Sequence, residues 1–186
     1  MHHVLERFIR GRWMLKVYLA SPLGFSESGL TFLRDKLLPV FSELGIEVHD
    51  PWQTIRDLPW DSVVEGFSEL DEQGNARIAR LNAEGIKESD LVVAVLDGTD
   101  VDSGTASEIG FAYANGKTVF GYLGDVRVSK DNAAALINLQ VEWFIHASGG
   151  TIATSLKGLK KTLRDYLRHR GSVGQTSVAG TRTRIS

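Results

Sequence analysis

The chain has 186 residues, 42% of them hydrophobic and 24% charged, which suits one folded domain with its own core. Its net charge of −2 supplies no broad basic face and argues against nucleic acid as the main partner. It has no cysteine, so disulfides and thiolate metal sites are excluded, and its five histidines are too scattered for a zinc signature. No apolar run reaches the roughly 18 residues of a membrane span. The opening MHHVLERFIRGRW is charged throughout and lacks a signal-peptide core, so a cytoplasmic protein is expected.

Residues 1–13 read as an extension, because the first strand signal, Lys16-Val-Tyr-Leu-Ala20, begins just after Met14. Ser21-Pro22-Leu23-Gly24 ends that strand. From Ser26 to Leu44 the residues Leu30, Leu33, Leu37, Phe41 and Leu44 recur at three and four positions, which predicts an amphipathic helix closed by Gly45. Ile46–His49 predicts a short strand stopped at Asp50-Pro51. Residues 50–70 show no clear period but hold Trp52, Trp60 and Phe67, the composition of a functional lid.

A helix is predicted over Ala76–Lys87 through Ile78, Leu81 and Ile86. Leu91-Val-Val-Ala-Val-Leu96 is the strongest strand signal, a continuous apolar run typical of a central parallel strand. Thr105–Asn115 predicts a short helix and Thr118–Tyr122 a strand. Val141–Ile145 is read as a fifth strand, and Leu156, Leu159, Leu163 and Leu167 mark a last helix. The domain is therefore expected over 14–170, with a disordered tail rich in Gly, Ser, Thr and Arg at 171–186. Alternating strands and helices predict an α/β protein, a parallel sheet with helices on both faces and ligands beyond the carboxyl ends of the strands. Three loops lie there: Ser21–Phe25, Asp50–Gln53 and Asp97–Glu108.

The last of these is the richest, with Asp97, Asp100, Asp102 and Glu108 in twelve residues. Glu108 is expected in the first helical turn, where the helix N-terminus favours an ionised carboxylate. A held, ionised carboxylate is what a covalent glycosyl intermediate requires. The same spacing, Thr105-Ala-Ser-Glu108, is also a capping box, in which Glu108 would only satisfy a free backbone amide. No GxGxxG follows the first strand, which disfavours an ordinary dinucleotide fold.

Tyr18-Leu-Ala-Ser-Pro22, Asp90-Leu-Val-Val-Ala94 and Asp102-Ser-Gly-Thr-Ala-Ser-Glu108-Ile-Gly-Phe-Ala112, followed by Gly116-Lys117 and Ile137-Asn138-Leu139, resemble the nucleoside 2-deoxyribosyltransferases over about residues 14–168. The resemblance implies a flavodoxin-like (Rossmann-like) three-layer sandwich on a five-stranded parallel sheet. It implies retaining double displacement, with Glu108 as nucleophile, Tyr18 holding its rotamer and Asp102 handling the base's proton. It implies base exchange on 2′-deoxynucleosides, in nucleotide salvage, with no metal and no cofactor. The runner-up is hydrolysis by a 2′-deoxynucleoside (5′-monophosphate) N-glycosidase, and a third reading is a non-catalytic nucleotide-binding module.

By the same resemblance Asn138 is lent by a neighbouring subunit to the sugar 5′-hydroxyl, implying a homo-oligomer with shared sites. Substrate contacts are further expected from Ser21, Pro22, Phe25, Asp50, Trp52, Asn82, Gly104 and Gln140. Two positions depart from the family pattern: Asn82 stands where transferases carry Asp and cannot act as a base, and Gln140 stands where Met is frequent. Asp125 and Arg127 are expected to pair with each other for structure. Pro22 has no amide proton and no Arg or Lys follows until Arg34, which favours an unphosphorylated nucleoside.

Overall fold

The computed structural model describes residues 8–9, 12–127 and 129–176, with side chains described for 14–127 and 129–170. Its main sheet has five strands: β1 (Lys16–Ala20), β2 (Glu47–His49), β3 (Leu91–Val95), β4 (Thr118–Tyr122) and β5 (Ile152–Ala153). Their order is β2-β1-β3-β4-β5 and every pairing is parallel. Parallel strands need crossovers that cover both faces, which is why β3 is apolar and buried at every position. Tyr18 on β1 sits opposite His49 on one side and Val92 on the other.

The crossovers are α1 (Glu27–Phe32) and α2 (Leu38–Ser42), joined by a π-helical turn at Leu33–Leu37, then α3 (Trp60–Ser68), α4 (Glu72–Glu88), α5 (Ser103–Ala114) and α6 (Leu139–Ala147), and α7 (Leu156–Thr176) follows the last strand. The period of two along each strand divides the core. Val17, Leu19, Val93, Val95 and Phe120 pack on Leu33, Leu37, Phe41, Leu159 and Leu163. Tyr18, Ala20, Val92, Ala94 and Val119 face the opposite layer: Ile86 of α4, Ile109 and Ala112 of α5, and Ile145 of α6.

The predicted helix over 26–44 forms with a wide turn in its middle. Pro39 cannot donate to a carbonyl four residues back, and just before it the Leu38 N–H reaches Leu33 O instead. The apolar stripe survives, with Leu33, Leu37 and Phe41 fully buried, each worth about 1.5–3 kcal/mol of burial. Residues 60–68, expected without regular structure, are helical. Only Val63 of α3 is buried, yet Trp60, Val63, Val64 and Phe67 recur at three- and four-residue steps, a helical period that the sequence does carry.

The fifth strand was expected at Val141–Ile145, and this is a correction. That segment is the middle of α6, and the strand is Ile152–Ala153. Asn138 caps α6 by accepting from the Gln140 and Val141 amides, and Val141 and Ile145 then face the sheet one turn apart. At the N-terminus, Phe8–Ile9 pairs antiparallel with Arg12–Trp13, and the rest of the expected extension at 1–13 lies outside the described residues apart from these. Helix α7 continues past Arg170 to Thr176; the remainder of the expected tail, 177–186, is outside the described residues.

Gly24 is a point of close approach: a Cβ there would lie 1.9 Å from the Trp52 ring. Gly24→Ala is therefore expected to displace Trp52 and cost about 1–3 kcal/mol in urea unfolding. A midpoint unchanged from that of the parent protein would contradict this packing.

Candidate active site

Helix α5 starts two residues earlier than expected. Asp102 is its N-cap, with Oδ2 accepting from the Thr105 amide at 2.9 Å and from the Thr105 hydroxyl at 3.3 Å. Glu108 thus falls in the second turn, and the capping box does not form. Its partner comes from the sheet: the Tyr18 hydroxyl donates to Glu108 Oε1 at 2.6 Å. Oε2 accepts no hydrogen bond among the described residues.

The expectation that the helix end keeps Glu108 readily ionised is corrected. Burial, assisted by the nearby Asp102 charge, pushes the Glu108 carboxyl up to about 7, and the Tyr18 bond offsets only part of this. No Lys or Arg is paired with it among the described residues. The Tyr18 hydroxyl is raised well above the tyrosine range, first by its own burial and then by Glu108, and so remains a donor. The Tyr18 ring is held in turn by His49, stacked with centroids 5.4 Å apart at 21°. His49 presses on α4 where only glycine fits, since a Cβ at Gly85 would lie 2.5 Å from His49 Nε2.

Glu108 opens into a cavity of about 380 Å³. Ser21, Phe25, Trp52, Asn82, Asp102 and Gly104, all singled out in the sequence, line it together with Glu108. So do Phe67, named in the sequence as part of a lid, and Pro51, Thr54, Ile55, Leu58, Ser62, Val63, Gly66, Leu70, Ile78 and Thr105, which sequence reasoning did not select. Most of these lie on or beside α3, and the aromatic richness of 50–70 was the one available signal. The site lies at the carboxyl ends of β1, β2 and β3, where the strand order reverses.

Four expected contacts are placed elsewhere within this chain. Pro22 lies behind the wall, its carbonyl accepting from the Phe25 amide at 3.0 Å. The Asp50 side chain is fully buried, bonded to Arg56 Nη1 at 2.6 Å and to the Trp52 amide at 3.0 Å. It shapes the loop instead of facing the cavity. Asn138 caps α6, and Gln140 is exposed on that helix. Asp125 and Arg127 do pair, at 2.9 Å on the surface. Trp52 ties two loops together, its indole N–H donating to the Ser21 carbonyl at 2.8 Å. The described residues contain no cluster of His, Asp and Glu able to hold a metal ion. They contain no helix long and apolar enough to cross a membrane.

Residues 17–147 match the family model of nucleoside 2-deoxyribosyltransferase. The chain belongs to this family. Nucleoside 2-deoxyribosyltransferase family members are enzymes acting on nucleosides and nucleobases. No curated protein matches the sequence. Among solved structures, a conserved protein from Enterococcus faecalis V583 is 28% identical, with a TM-score of 0.63, over 82% of this chain and 99% of its own. The 2-deoxyribosyltransferase of Bacillus psychrosaccharolyticus is 24% identical, with a TM-score of 0.56, over 78% of this chain and 90% of its own, a likeness of fold.

The raised Glu108 carboxyl has a cost with a definite sign. The folded state holds this proton up to about pH 7, whereas the unfolded chain releases it near 4.5. Stability is therefore lost as pH rises through that window, by up to about 3 kcal/mol. Glu108→Gln keeps an acceptor for Tyr18 and removes the charge. Its melting temperature should exceed the parent's by a margin that grows between pH 5 and pH 8. A margin independent of pH would mean that Glu108 is not held in this environment.

Proposed function

We propose that this chain is a nucleoside 2-deoxyribosyltransferase that exchanges the base of 2′-deoxynucleosides by retaining double displacement. The observation carrying this reading is a carboxylate held on one oxygen by a buried tyrosine, unpaired with any cation among the described residues, facing a cavity that also contains Asp102. Glu108 Oε2 attacks C1′ of the sugar as the C1′–N bond breaks, its electron pair passing to the departing base. Asp102, in the form of the site in which it and not Glu108 holds a proton, gives that proton to the base. The nitrogen of an incoming base then attacks C1′, Glu108 leaves as carboxylate, and Asp102 recovers a proton from the new base. Tyr18 acts as a positioning residue throughout.

Water in place of the incoming base would make the same intermediate hydrolytic. The apolar lining of the outer cavity, from Ile55, Leu58, Val63, Phe67 and Leu70, favours a flat base over water as second occupant. No Lys or Arg lines the cavity among the described residues, and two carboxylates do, which favours a nucleoside over its 5′-phosphate. A simple binding module has no use for a carboxylate kept at such cost, which favours catalysis over the binding reading.

Incubation with deoxyinosine, with and without adenine, separates the readings. Deoxyadenosine forming with adenine, and little hypoxanthine forming without it, is expected. Equal hypoxanthine release in both sinks the transferase assignment in favour of hydrolysis. Glu108→Ala should lower turnover by at least about 10³-fold while the fold is kept. The acid limb of kcat/KM should fall near pH 7 and move upward in Tyr18→Phe, which removes the bond that lowers the Glu108 pKa.

Asn138 supports an oligomer with shared sites. Its Oδ1 is spent on the α6 cap, while its amide nitrogen makes no hydrogen bond among the described residues. Asn138→Asp keeps the capping oxygen and removes the donor. Unchanged melting with KM raised by about tenfold is expected if a neighbour uses that donor. Unchanged KM would confine Asn138 to capping.

A further inference from the structure

The cavity changes character with distance from the sheet. Gly85 of α4 packs on His49, beside Tyr18. Asn82 lies one turn before it and Ile78 a further turn out, about 6 Å along the helix, and both line the cavity. Near the nucleophile the lining is polar: Asn82, Asp102, Thr105 and Ser21. From residues 54–78 the lining carries only two polar side chains, the hydroxyls of Thr54 and Ser62. Neither a charged group nor a carboxamide from that stretch is available to read the edge of a base.

The outer part is also a concentration of apolar surface left in water. Phe25 is 60% exposed, Leu58 47%, Ile78 42% and Phe67 38%, and all four line this one cavity. Phe25 and Phe67 meet with centroids 5.9 Å apart, and Phe25 also packs edge-on against Trp52. With C1′ at Glu108 and the sugar against the polar end, the base projects outward, between α3 and α4. An apolar extension on that base is what would cover the exposed rim and remove it from water.

We propose, resting on Glu108 as the nucleophile, that the base half of this site selects by apolar extent and not by a hydrogen-bonding edge. Its favoured substrates are 2′-deoxynucleosides whose purine carries an aryl or alkyl extension. A site built to hydrogen-bond an edge penalises analogues lacking it, and this one has little to leave unpaired.

Calorimetric titration of the full chain with adenine, benzimidazole and 6-phenylpurine tests this without needing turnover. Benzimidazole, which lacks the pyrimidine nitrogens and amino group, should bind within about threefold of adenine, and 6-phenylpurine at least about tenfold tighter. Phe67→Ser/Ile78→Ser should bring the 6-phenylpurine and adenine affinities together. Equal or weaker binding of 6-phenylpurine overturns the proposal, as does a loss beyond about tenfold for benzimidazole. It also falls if the double variant dissociates an oligomer in sedimentation and leaves the base preference intact, since the rim would then be a subunit contact. A protein that shows the preference but transfers no sugar refutes the transferase reading alone. One that exchanges bases without the preference refutes this proposal alone.

Discussion

The site depends on one short hydrogen bond, from the buried Tyr18 hydroxyl to a carboxylate that no cation among the described residues neutralises. A charge in that position is costly because the surroundings that exclude water offer only one donor in return. The fold supplies the restraint that makes the arrangement persist. Tyr18 belongs to β1, a strand flanked on both sides, and its ring is pinned by His49 from the neighbouring strand. His49 itself is wedged against Gly85. The chain of contacts runs from α4 through β2 and β1 to α5, so the nucleophile's orientation is set by packing across the whole upper layer.

The opposite side of the cavity follows other rules. Helix α3 gives the core Val63 and the partly buried Trp60, and presents Ser62, Gly66 and Phe67 to the cavity. A polar floor and an apolar wall suit chemistry in which the sugar must be placed accurately while its aglycone is exchanged.

Much of the fold was legible because its signals are periodic. The unbroken run at Leu91–Leu96 announced a strand buried on both faces, and the leucines between 30 and 44 announced a helix with one buried stripe. The segment Val141–Ile145 misled because five residues fit both periods; the Asn138 cap decides for helix. Helix α3 carries the helical spacing Trp60, Val63, Val64 and Phe67, a stripe of only two turns set among acidic residues and so easily taken for loop. Glu108 and Asp102 stood out as candidates by position and by family resemblance, but their setting did not. The start of α5 turns on which residue caps it, and Asp102 in place of Thr105 moves Glu108 from a cap position to a place opposite Tyr18. Asp50 looked like a base-reading group because nothing local reveals that Arg56 comes back to meet it.

The loop after β2 is fastened twice, by the Trp52 indole on the Ser21 carbonyl and by Arg56 on Asp50. Both fastenings lie on the sheet side of residue 57, and the next anchors, Trp60 and Val63, are inside α3. Any swing of α3 that widens the entrance must therefore bend the backbone at Asp57, Leu58 and Pro59, leaving Trp52 and Ser21 in place. Entry and exit of a base can then proceed without disturbing the floor on which the sugar waits.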